Sequence, residues 1–249
     1  MDSEKLPHAE AAALDASAVQ DVSMHDPAFE PAITEDMALA LLKNRDLSSD
    51  AVEQLAKNSG VTKSRRVRLA IAAHPRAARH VCLRLIRDFY TFDLMRFALL
   101  PGVAADIKHA ADELLLSRIA SVTLGERISL ARRASKTITA ALLLDKEAPV
   151  WQAAVESPRL TEAAVVRALR RPSATPALVE AICHHPRWSP RHEIRIALLR
   201  NPHTPLARAL EFAHALPPAQ LRDALHGSQI SERLKIYLRK SFEHKNSLG

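Results

Sequence analysis

Apolar residues in the C-terminal part of the chain recur at helical spacing and are cut off at a regular beat. In Thr161–Arg171 they are Ala163, Ala164, Val165, Val166, Ala168 and Leu169; in Thr175–Cys183 they are Leu178, Val179, Ala181 and Ile182. They fall at i, i+3 and i+4 without strict alternation, which argues helix rather than strand. A proline interrupts every 14 to 16 residues, at Pro158, Pro172, Pro186 and Pro202, and Leu216-Pro217-Pro218 continues the beat. Proline has no N–H and clashes with the preceding turn, so each one closes a helix. Two or three residues later comes a hydroxyl: Thr161, Thr175, Ser189 or Thr204. A Ser or Thr there can accept an orphan N–H of the next helix. Pro176, Pro190 and Pro205 then fit the first helical position, where the missing N–H costs nothing. The pattern predicts a run of short helices over residues 147–243. Helices of about 10 residues are marginal alone in water, so they are expected to stack.

The same layout appears upstream. Val67-Arg68-Leu69-Ala70-Ile71-Ala72-Ala73-His74-Pro75 matches Ile194-Arg195-Ile196-Ala197-Leu198-Leu199-Arg200-Asn201-Pro202 position by position. Lys43-Asn44 and Lys57-Asn58 read as proline-free versions. The stretch 91–146 is the least regular and carries a longer apolar run, Ala110–Val122, expected to hold one longer helix.

The scheme of apolar, Arg, apolar, Ala, then Asn-Pro-x-Thr-Pro over residues 194–205 resembles the leucine-rich repeat variant class and, more broadly, HEAT-type α-solenoids. It covers the C-terminal third well and the middle poorly. The resemblance implies a curved, right-handed superhelix used for recognition. One member of the variant class carries an N-terminal iron–sulfur module, which two cysteines cannot supply here. The expected fold is therefore all-α: a right-handed α-solenoid of short antiparallel helices over residues 34–243, clearest at 147–243. Residues 1–33 are expected to form a flexible arm and 244–249 a disordered tail. Ser231–Phe242, with Lys235, Arg239 and Lys240, fits a polar terminal helix.

Composition narrows the function classes. Five glycines, at 60, 102, 125, 227 and 249, leave no phosphate-loop or dinucleotide fingerprint. No stretch approaches the roughly 18 apolar residues of a membrane span, and the acidic Met1–Lys5 is unlike a signal peptide. Cys82 and Cys183 sit in apolar helical runs and read as buried thiols. A cytoplasmic location is expected. Charge is uneven: residues 1–60 hold twelve acids against four bases, while the whole chain carries +7. The basic excess thus lies downstream. The acidic arm reads either as a solubilising tail or as a segment lying transiently on the basic body and competing with acidic ligands.

Arginines are the main candidate chemistry. If the repeats stack in phase, Arg68 aligns with Arg195 and Arg171 nearly with Arg200. With Arg167, Arg187 and Arg191 they would form a guanidinium stripe suited to carboxylates or phosphates. Such a stripe is also the footprint of a nucleic-acid binder. Arg170, Arg171 and Arg200 equally suit helix C-termini, where positive charge complements the dipole. Trp188, in a turn between Arg187 and Arg191, can be read as a stacking platform or as packing over the neighbouring turn. Cys183, His184, His185 and His192 crowd together without a zinc-like spacing, and neither metal nor cofactor is expected. The acids are scattered, and none stands out from surface charge pairing such as Arg84–Asp88 at i, i+4. The leading expectation is a non-enzymatic scaffold binding a protein or peptide on its concave face. The second is a nucleic-acid binder using the arginines. The third is a resemblance to HEAT-like DNA glycosylases, for which Trp151, Glu156 and Trp188 are the residues to weigh.

Overall fold

The computed structural model describes residues 33–226, Ser228 and residues 235–237. These are helical throughout, with no strand among them. The helices are α1 (Glu35–Lys43), α2 (Ser49–Lys57), α3 (Ser59–Thr62), α4 (Arg65–Ala73), α5 (Arg79–Leu85), α6 (Thr91–Leu99), α7 (Ala105–Arg118), α8 (Leu124–Arg133), α9 (Lys136–Leu142), α10 (Ala148–Val155), α11 (Glu162–Leu169), α12 (Pro176–His184), α13 (His192–Arg200), α14 (Leu206–His214) and α15 (Pro218–His226). The middle of the chain holds the longest, α7, which starts earlier than the apolar run suggests and ends in a 3-10 turn at Ile119–Ser121. The expectations for the arm, the terminal helix and the tail fall almost wholly outside the described residues. The overlaps are Ile33, which is buried against the core, and residues 235–237, which are helical within the expected terminal helix.

Hydroxyl caps start many of these helices. Thr34, Ser48, Ser64, Ser135, Thr161 and Thr175 each accept the N–H three residues on. Thr123 and Glu126 complete a capping box. Two predicted caps do something else. Ser189 is buried and its hydroxyl accepts Arg208 Nη2 at 2.8 Å, while α13 starts from Arg191 without a side-chain cap. Thr204 turns backwards and donates to Leu198 O at 2.6 Å, so α14 begins after Pro205 uncapped. A hydroxyl between two helices can serve either one. Here the last-turn carbonyl of α13 is the nearer partner.

Helix exits share a second device. The side chains of Asn44, Asn58, Asp145 and Asn201 accept the N–H two residues on, at 2.9–3.0 Å. His74 and His185 do the same through Nδ1 at 3.2 and 3.1 Å. This Asx-type turn satisfies a donor the helix leaves orphaned. An accepting Nδ1 places the neutral ring's proton on Nε2. His74 Nε2 then donates to Asn44 O at 3.0 Å, one repeat back. Asn201 Nδ2 donates likewise to Leu169 O at 2.7 Å. The residue before the proline therefore ties successive units together from inside the core, where both side chains are buried.

Besides contacts between sequence neighbours, of which α6 with α7 is the most extensive, next-but-one contacts recur along the chain. Contacts join α2 to α4, α4 to α6, α5 to α7, α7 to α9, α9 to α11, α11 to α13 and α13 to α15; α8 meets α10 and α10 meets α12, while α14 reaches α12 through Arg208 on Cys183 O. The echo between residues 67–75 and 194–202 holds in burial at every position but one. Val67 and Ile194 are fully buried, as are Ile71 and Leu198. Ala197 is buried and Ala70 half-buried against the same core. The interior is one continuous cluster of Ala, Leu, Val and Ile running from Ile33 to Leu225.

Candidate basic recognition surface

Most of the arginines singled out by phase are committed to the fold. Arg68 Nη1 donates to Thr62 O at 3.1 Å, and Arg195 Nε to Ser189 O at 3.0 Å, each six residues back. Arg187 reaches Ser157 O and Leu160 O at 3.0 and 3.1 Å. Arg191 pairs with Glu162 at 2.8 Å and also donates to Arg187 O. Arg200 reaches forward to Asp223 O and Ala224 O in the last turn of α15. Arg84, Arg118, Arg159 and Arg208 repeat the motif on Ala56, Phe89, Arg133 and Cys183 carbonyls. Arg84 is thus spent on Ala56 O, where the sequence suggests a pair with Asp88. The last four carbonyls of a helix lack partners and carry the negative end of its dipole, so a planar, permanently charged fork fits there. A continuous arginine stripe does not form; Arg68, Arg187, Arg191, Arg195 and Arg200 act chiefly as internal ties.

Trp188 is a correction of the same kind. Only 1% of it is exposed, and its Nε1 donates to Val155 O at 3.0 Å. Arg187 lies 4.2 Å and Arg191 5.5 Å from the ring centroid. The ring is roofed by two guanidinium groups and offers no platform for a base. Trp151 is also buried, so the glycosylase-like trio Trp151, Glu156 and Trp188 lacks an open aromatic face.

Several exposed arginines keep unpartnered side chains, Arg45, Arg76, Arg96, Arg132 and Arg222 among them, and three such residues gather at the end of α11. Arg167, Arg170 and Arg171 are exposed and hold no hydrogen bond or ion pair, unlike Arg187 to Arg208 downstream. Two depressions flank them. One, of about 390 Å³, lies between α9 and α11 and is lined by Thr137, Ala140, Leu144, Arg167, Arg171 and Ser173 among others. The second, of about 440 Å³, lies between α11 and α13, with Arg170, Arg171, Arg200 and His203 on its wall. Arg171 belongs to both, and neither wall contains a carboxylate. Phase reasoning points to Arg167 and Arg171 but misses Thr137 and His203. Their approach depends on α9 and α13 packing against α11 from opposite sides, which no local spacing reports.

The cysteine and histidine group disperses. Cys183 is buried, and burial pushes its thiol up to about 11. His184 bonds Glu180 O, His185 faces Glu156 at 3.2 Å, and His192 stands exposed. Burial likewise raises Cys82. Among the described residues no three His, Cys, Asp or Glu side chains gather as a metal site would require, and no helix is long and apolar enough to cross a membrane.

One buried acid stands apart from these surfaces. Asp112 of α7 accepts the Ser135 hydroxyl on Oδ2 at 2.8 Å, while its buried Oδ1 meets no donor. Burial raises its carboxyl above the ordinary 3.8, against the lowering pull of Ser135, Thr137 and His109. The folded chain therefore holds this proton more tightly than the unfolded one. The stabilisation is complete below the ordinary carboxylate value and is lost as pH rises through the raised one. Asp112→Asn is expected to melt higher than the parent at neutral pH and to show a flatter pH dependence on the acidic side. Parallel thermal melts from acid to neutral pH check this; identical curves for the two proteins would contradict it.

No protein-family model, curated protein or solved structure matches the chain.

Proposed function

We propose that the protein is a non-enzymatic α-solenoid scaffold that binds an acidic segment of a protein partner along α9, α11 and α13. The observation that carries this reading is the unpaired trio Arg167, Arg170 and Arg171, flanked by two depressions without a carboxylate. Many guanidinium groups of the chain are spent on backbone carbonyls at helix ends and turns. Here three of them face solvent, ready for carboxylates in bidentate geometry. The close row α11–α13–α15, set against α12 and α14, which meet through the long Arg208 side chain, suits a right-handed superhelix bent toward that row. Repeat stacks of this kind use their concave side for extended ligands. A peptide fits better than a single-stranded nucleic acid, because base binding draws on open aromatic faces. Trp151, Trp188, Phe89 and Phe97 are buried, and the exposed Tyr90 already faces Arg65 at 5.3 Å.

The test is fluorescence anisotropy with a labelled glutamate-rich peptide, alongside single-stranded and duplex DNA of matched charge, at two salt concentrations. Binding of the peptide is expected to weaken at least about tenfold in Arg167→Glu/Arg171→Glu, since like charges set across an interface repel. The melt should stay unchanged, because neither side chain has a partner in the fold. Equal binding by parent and variant, or tighter binding to DNA than to the peptide, would overturn the proposal.

A further inference from the structure

Of the two depressions, the one between α11 and α13 has a charge balance that suits a dianion. Arg170 and Arg171 close α11, Arg200 closes α13, and His203 follows in the next turn. Arg200 is held from behind: its Nε and Nη2 donate to the α15 carbonyls of Ala224 and Asp223 at 3.4 and 3.2 Å. That fixes the plane of its guanidinium and leaves Nη1 without a partner. Arg170 and Arg171 keep their whole forks free, and the exposed His203 ring makes no hydrogen bond. Asn201, also on the wall, cannot compete, because its amide donates to Leu169 O and its carbonyl oxygen accepts His203 N.

Three guanidinium charges thus face the C-terminal ends of α11, α13 and α15. Each such end carries about −0.5 of an elementary charge. The wall holds no carboxylate, so roughly +1.5 is left over. One carboxylate leaves part of that uncompensated, whereas a phosphomonoester at neutral pH, carrying about −1.5 to −2, balances it and offers three acceptor oxygens to the waiting forks. A cavity of about 440 Å³, with Leu169, Ala174 and Ala197 as its apolar floor, accommodates a phosphate and the side chain bearing it.

We infer that this cavity is an anchor for a phosphorylated side chain of the partner peptide, seated by Arg170, Arg171 and Arg200. The inference rests on the acidic-partner reading and sharpens it: phosphorylation of the partner, and not only its acidity, sets affinity.

The experiment uses the full chain and three labelled peptides of one neutral sequence, carrying serine, glutamate or phosphoserine at the central position. The phosphoserine peptide is expected to bind about tenfold or more tighter than the glutamate peptide, since charge-assisted bidentate contacts are the strong ones. That preference is expected to vanish in Arg170→Gln/Arg171→Gln, whose melt should match the parent because both side chains are exposed and unpaired. Equal affinity for the phosphoserine and glutamate peptides, with an acidic peptide still bound, would sink the inference and leave the scaffold reading standing. Binding of no acidic peptide at all would remove both. Inorganic phosphate competing as well as the phosphopeptide would assign the cavity to the free ion, and tighter binding of an oligonucleotide would assign it to a phosphodiester backbone; either result overturns the phosphopeptide anchor.

Discussion

Trp188→Ala is expected to cost about 3–5 kcal/mol, the range for removing a large buried aromatic whose site cannot collapse. Three interactions converge on this side chain. Its ring is buried to 1% exposure in the turn between α12 and α13. Its Nε1 closes the last turn of α10 through Val155 O, 33 residues back in sequence. Its outer face supports Arg187, whose fork in turn holds Ser157 O and Leu160 O. Removing the ring therefore opens a cavity, orphans a buried carbonyl and loosens an arginine that bridges to the turn before α11. A chain of this length loses roughly 2–4 °C of melting temperature per kcal/mol, so a fall of about 6–20 °C is expected. Trp188→Phe separates the contributions. It keeps most of the packing and the support beneath Arg187, but leaves Val155 O unpaired, for about 1–3 kcal/mol. A Trp188→Ala protein that melts within a degree or two of the parent would show that the turn does not bind the two units together.

The turn position of Trp188 illustrates where sequence reasoning holds and where it stops. Interactions that close within one helical turn were legible. Thr161 and Thr175 cap where the spacing places them, Asn44, Asn58, His74 and Asn201 end helices, and the shared phase of Arg68 and Arg195 survives as the same hydrogen bond at both sites. Interactions that close 19 or more residues away were not. Ser189 gives up its capping role because Arg208, 19 residues later, arrives beside it. Arg187 and Arg200 find carbonyls some 23 to 30 residues away. From spacing alone a guanidinium on a helix looks the same whether it faces solvent or a neighbouring helix end. Arg167, Arg170 and Arg171, which stay open, differ from Arg187 and Arg200 only in what the adjacent turns present. No local motif marks Asp112 either, since its burial is set by α9 packing across α7.

Asn201→Leu is the second large effect expected, at about 2–4 kcal/mol, because the buried Leu169 O and the part-buried His203 N lose their partners at once, and a fully buried loss costs about 1–3 kcal/mol. The side chain is 5% exposed. Its amide donates to Leu169 O at 2.7 Å and its carbonyl oxygen accepts His203 N at 2.9 Å. Leucine keeps the branched shape and opens no cavity, so the loss reports the hydrogen bonds together with any crowding from its larger methyl groups. The upstream unit supplies the control. At the matching position His74 accepts Arg76 N through Nδ1 and donates to Asn44 O through Nε2, performing both tasks with an imidazole. If the position before the proline is a repeating tie between successive units, Asn201→His should recover much of the stability that Asn201→Leu loses, and His74→Asn should be tolerated better than His74→Leu. Thermal melts of the four variants decide it. Equal destabilisation by histidine and leucine at position 201 would mean that the two units share a sequence scheme without sharing this interaction, and the next-but-one contacts would then rest on apolar packing alone.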